Sequence, residues 1–62
     1  MDEGQVIFEF MQQGRYVKVS AMDTVTLNEA TIVGDASATR ERLQQLALQK
    51  LRYVMRKKAE KR

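Results

Sequence analysis

The chain has 62 residues, no cysteine, no histidine and a formal net charge of +3. That length holds one small domain at most, and the missing residue types exclude disulfides and ordinary zinc, haem or iron–sulfur ligation. Below ~70–80 residues a single core stabilises little, so self-association is the expected support. Charge is divided unevenly. Residues 1–39 carry a net −4 and residues 40–62 a net +7. Such a division suits an acidic partner for the basic end, or attraction between the two halves within one copy or between two. The start, MDEGQ, is acidic and has no apolar h-region, and no run of ~18 apolar residues occurs. A cytoplasmic protein without a membrane span is expected.

In chain order, residues 5–12 (QVIFEFMQ) alternate, with Val6, Phe8 and Phe10 on one side and Ile7, Glu9 and Met11 on the other. Residues 15–22 (RYVKVSAM) alternate too, with Val17, Val19 and Ala21 opposed to Tyr16, Lys18, Ser20 and Met22. Gln13-Gly14 between them predicts a two-residue hairpin loop. That loop sets Phe10 opposite Val17, Phe8 opposite Val19 and Val6 opposite Ala21. On the other face it sets Glu9 opposite Lys18, Met11 opposite Tyr16 and Ile7 opposite Ser20. Asp23 and Asn28 bound a connection. A third strand over 28–33 adds Ala30 and Ile32 to the core set, and Val19 opposite Ile32 leaves a four-residue loop over 24–27. Gly34-Asp35 is expected to end that strand.

A helix is predicted over about 38–58. Leu43, Leu46, Ala47, Leu51 and Val54 recur at three- and four-residue spacing. Leu48 and Met55 widen this face on one side and Tyr53 on the other, to an arc of roughly 240°, where a helix lying on one sheet needs little over ~100°. Ser37 and Thr39 are candidate N-caps. Glu41 near the start, and Arg56, Lys57 and Lys58 near the end, suit the helix dipole. Residues 59–62 read as a frayed basic tail. The expected fold is α+β: a three-stranded antiparallel meander followed by one C-terminal helix on one face, β-β-β-α, in a single domain over 1–62 that forms a dimer. Its core sets Val6, Phe8, Phe10, Val17, Val19, Ala21 and Ile32 against Leu43, Ala47, Leu51 and Val54.

The stretches IFEFMQQGRYVKVSAMD, TIVG and LALQKLRYVM resemble a family of short uncharacterised alphaproteobacterial proteins, a domain of unknown function. Its pattern is E-F-x-x-x-G-x-[FY]-V-K-V-[ST]-A-x-D, an I-V-G element and A-x-x-K-L-x-Y-V. It is met here by Glu9, Phe10, Gly14, Tyr16 to Ala21 in unbroken order, Asp23, Ile32, Val33, Gly34, Ala47, Lys50, Leu51, Tyr53 and Val54. The family's second turn often holds proline or glycine, which this chain lacks. The resemblance implies a small self-contained bacterial protein and no particular activity.

No catalytic pattern emerges. Glu9 would act as an acid or base only if buried, Lys18 and Ser20 are simple strand residues, and a lone Gly34 is no phosphate cradle. No enzyme activity, cofactor or metal is expected. Two surplus apolar surfaces point instead to a homodimer, with a further protein partner possible: the back of the sheet (Ile7, Met11, Tyr16, Met22, Val33) and the helix flank (Leu48, Met55). Leu46 and Tyr53 on the other flank, and Val25 and Leu27 in the loop, add smaller apolar spots. The rival reading is nucleic-acid binding, with Arg52, Arg56, Lys57, Lys58, Lys61 and Arg62 on phosphates. Membrane-surface binding fits poorly, because the sheet needs the apolar face of the helix.

Overall fold

The computed structural model describes residues 5–60. Three strands, β1 (Val6–Gln13), β2 (Tyr16–Asp23) and β3 (Glu29–Asp35), precede one helix, α1 (Arg40–Glu60). The sheet is antiparallel in the order β1-β2-β3. This is the α+β, β-β-β-α architecture expected from the alternating strands and the periodic C-terminal third.

The first hairpin departs from the expected register by two residues. Phe10 lies opposite Val19, Phe8 opposite Ala21 and Val6 opposite Asp23. Glu9 therefore faces Ser20 rather than Lys18, Met11 faces Lys18 rather than Tyr16, and Ile7 faces Met22. The loop is Gly14-Arg15, closed by the Gln13–Tyr16 pair. Gly14 has φ +59°, so it takes the first central position, where a type II′ turn needs positive φ, and not the second. A shift of two residues keeps every side chain on its expected face. The Glu9–Lys18 cross-strand pair is lost. Among the described residues, the ion pair within 4.0 Å is the exposed Lys57–Glu60 contact at 3.9 Å.

Val19 does face Ile32, and β3 continues two residues further than expected. Gly34 pairs with Val17 and Asp35 with Tyr16 inside the strand. The ladder runs on where Ala36 N–H donates to Arg15 C=O at 2.8 Å. The turn into the helix lies beyond. Ser37 N–H donates to Asp35 Oδ1 at 2.8 Å, and Ala38 N–H to Asp35 C=O at 2.9 Å. Thr39 is the N-cap: its Oγ1 accepts from Arg42 N–H at 3.1 Å and its carbonyl from Leu43 N–H at 3.0 Å. The helix includes Ala59 and Glu60, which were expected to fray. Lys61 and Arg62 lie outside the described residues.

The helix lies over β3 and β2. Its buried residues Leu43, Ala47 and Leu51 meet Val17, Val19, Ala21 and Ala30. Val6, Phe8, Phe10, Ile32 and Val54, which the alternation and periodicity also place inside, pack against this cluster but are only partly buried. Helix and sheet approach closely at Gly34. A Cβ there would collide with Leu43 Cδ2, with Cγ at 3.6 Å and Cδ1 at 3.8 Å. Leu43 is buried and has little room to retreat. Gly34→Ala is therefore expected to destabilise the chain by about 1–3 kcal/mol through overpacking. Urea denaturation measures this, and an unchanged midpoint contradicts it.

Candidate self-association surface

The outer face of the sheet follows from the observed register. Across it run Gln13–Tyr16–Asp35, then Met11–Lys18–Val33, then Glu9–Ser20–Thr31, then Ile7–Met22–Glu29. All five apolar residues expected here share this face, but they do not form one patch. Tyr16, Met11 and Val33 surround Lys18 at one end, 55–65% exposed. Ile7 and the half-buried Met22 lie at the other. Between them runs a polar waist, where Ser20 and Thr31 share a hydrogen bond at 3.2 Å between their hydroxyls. A dry face-to-face dimer would have to bury that waist and Glu9 with it.

Leu48 and Met55 are on the opposite layer, so the seven candidate interface residues do not converge. Met55 packs against the core and Leu48 is half buried on the same helix flank. That flank faces β1. The other flank faces β3, because Lys50 Nζ donates to Thr31 C=O at 2.9 Å, and Lys50 lies between Leu46 and Tyr53 on the helix surface. Leu46 and Tyr53 stay exposed there.

One helix is ~10 Å wide and strands are ~4.8 Å apart, so α1 covers two strands and leaves the third short of cover. The uncovered strand is β1. Its inner side chains Val6, Phe8 and Phe10 are half buried, and the Arg40 guanidinium stands 4.4 Å from the Phe10 ring centroid, a cation–π contact at the rim. Ile7 and Met11 on its other side are exposed. β1 is thus apolar on both faces and fully covered on neither. Sequence reasoning counted Phe8 and Phe10 as closed core. Comparing the width of three strands with that of one helix would have shown the deficit.

The β2–β3 loop holds the remaining apolar spot. The Asp23 carboxylate accepts from Val25 N–H at 2.8 Å and Thr26 N–H at 3.0 Å, and Leu27 N–H donates to Asp23 C=O at 2.8 Å. The backbone N–H groups of Thr26 and then Val25 hold the Asp23 carboxyl below the usual carboxylate range, and the Ser37 N–H does the same for Asp35. Both depressed values favour the folded state above the ordinary carboxylate pKa of ~3.9, and that contribution is lost as pH falls through the lower folded values. Leu27 has φ +64° and is 68% exposed. It occupies the left-handed position where a loop ordinarily takes glycine or asparagine.

Arg52, Arg56, Lys57 and Lys58 are exposed near the C-terminal end of α1, beyond the last buried residue, Leu51. At ~100° per residue they spread around the helix rather than lining one side. Among the described residues, no group of three His, Cys, Asp or Glu side chains is placed to hold a metal, and no helix is long and apolar enough to cross a membrane.

A family model described as a domain of unknown function (DUF6898) matches residues 3–58. The chain belongs to the DUF6898 family. No curated protein and no solved structure matches it. In this DUF6898 chain the second turn, without glycine or proline, is built from the Asp23 side chain and a left-handed leucine. Leu27→Gly is expected to relieve the backbone strain and raise stability by up to ~1 kcal/mol after the entropy cost of glycine. A thermal melt reads this as a rise of several degrees. A fall instead means that the Leu27 side chain makes a contact worth more than the strain.

Proposed function

We propose that this DUF6898 chain is a small non-enzymatic protein-interaction module that works as a homodimer. The observation that supports the reading is β1, an eight-residue strand with apolar side chains on both faces and incomplete cover on each. Among the described residues, the large side chains that are fully buried are Leu51 and Val19. A core of that size leaves only a few kcal/mol of margin. Burying even ~300 Å² of further apolar surface per chain at ~25 cal/mol per Å² gives ~7 kcal/mol before the cost of association. The family resemblance supports an alphaproteobacterial setting.

The expected outcome is a melting temperature that rises with protein concentration, together with a dimer mass by light scattering. A monomer at high micromolar concentration, with a melting temperature independent of dilution, removes this reading.

A second reading, nucleic-acid binding, is favoured by one observation. The exposed Arg52, Arg56, Lys57 and Lys58 project from the last turns of α1, free of the core. Their spread around the helix weighs against a single phosphate-tracking face. Under this reading, affinity for generic duplex falls steeply between about 50 and 200 mM salt, in proportion to the phosphates contacted. Removing residues 57–62 weakens all sequences alike. No binding at low salt rules the reading out.

A further inference from the structure

Hydrogen bonds fix which backbone groups of β1 are in use. Thr24 N–H donates to Gln5 C=O at 2.9 Å, and bonded pairs alternate along an antiparallel ladder. With the observed register, Ile7, Glu9, Met11 and Gln13 aim their N–H and C=O groups at β2. Val6, Phe8, Phe10 and Gln12 aim theirs the other way, at an edge on which no described residue pairs. Three of these four also carry the half-buried apolar side chains of the inner face.

The far edge is different. Asp23 N–H donates to Asn28 C=O at 2.9 Å, so by the same alternation Thr31 points outward from β3. There Lys50 Nζ already takes its carbonyl, in the middle of the strand. Among the described residues, no side chain takes an outward backbone group of β1 in this way. VIFEFMQQ contains no proline and no lysine, and it pairs with β2 without a bulge, so it lacks three devices that keep sheet edges apart.

We infer that β1 is the seam of the dimer. Two copies pair edge to edge, antiparallel, about a twofold axis normal to the sheet, giving six strands with both helices on one face. This rests on the homodimer reading and names its surface. The partner is a second copy because β1 laid on β3 of a neighbour would repeat head to tail into a filament, and Lys50 obstructs that edge. Like edge on like edge closes about a twofold, and of the two edges β3 carries Lys50 on its Thr31 carbonyl, which leaves β1 on β1.

The register follows from the side chains. Centring the axis on Glu9 would set two carboxylates directly opposite each other. Centring it on Phe10 would set Phe8 against Gln12. Centring it on Phe8 sets Phe8 beside its own copy and Val6 beside Phe10, so every inner-face pair is apolar, and Ile7 faces Glu9 outside. Helices over β2 and β3 of each copy then stand roughly 19 Å apart, four strand spacings. The strands therefore make the seam, and the helices do not touch across it.

Residue-resolved amide hydrogen exchange on the intact chain tests this. In dilute solution the amides of Phe8 and Phe10 exchange freely, while those of Ile7 and Glu9 are protected by β2. At concentrations where scattering shows a dimer, Phe8 and Phe10 slow at least tenfold. Phe8→Pro removes an N–H aimed at the seam and leaves the β2 ladder intact, so a folded monomer is expected, whereas Phe8→Val retains the dimer. A dimer in which the Phe8 and Phe10 amides stay unprotected overturns the seam and leaves the homodimer reading standing. A monomer at every concentration overturns both.

Discussion

A single helix can cover two strands, and this chain has three. The rest of the structure follows from that mismatch. α1 settles over β2 and β3, so the closed core forms where Val17, Val19, Ala21 and Ala30 meet Leu43, Ala47 and Leu51. β2 is flanked on both edges and roofed on one face, and among the described residues it supplies Val17, Val19 and Ala21 to the core. β1 is left with one paired edge and a half-roofed face. The helix takes the β3 side because β3 leads directly into it, through a short connection capped by Asp35 and Thr39.

Gly34 sets how closely the two layers meet. A strand residue without a Cβ lets Leu43 sit down on β3 beside Val17, and the next two helical turns then drop Ala47 and Leu51 onto the sheet. Small residues repeat this at Ala21, Ala30 and Ala47, each buried to 5% exposure or less. The layers approach closely at low side-chain volume. That makes the core thin, and the proposed association would draw on the surfaces it does not reach.

Much of this was legible in the sequence. Period-two alternation set Val6, Phe8, Phe10, Val17, Val19, Ala21, Ala30 and Ile32 on the face that meets the helix, and the Val19–Ile32 pairing, which leaves a four-residue loop, is the observed one. Period 3.6 identified Leu43, Ala47 and Leu51. The hairpin register was not legible, because Gly14 satisfies a two-residue turn from either central position and the two choices differ by a shift that preserves both faces. The Glu9–Lys18 complementarity favoured the wrong choice; a single exposed ion pair carries too little energy to decide a register. Gly34 read as a strand terminator because its role depends on Leu43, nine residues away on another layer. Of the candidate interface residues, Ile7, Met11, Tyr16 and Val33 are exposed, whereas Met22 and Leu48 are half buried and Met55 packs against the core. Sequence periodicity assigns faces but not neighbours, so it could not show that a polar waist splits the outer set or that Leu48 and Met55 sit on the other layer.

The central claim is that the strand left uncovered by the helix is where this protein associates. The most direct measurement is a dilution series of amide chemical shifts, residue by residue. The account predicts that concentration-dependent shifts cluster on Val6, Phe8, Phe10 and Gln12, with β3 and the C-terminal turns of α1 unchanged. Shifts confined to the outer face around Tyr16 and Val33, or to Arg52 and Arg56, would contradict it.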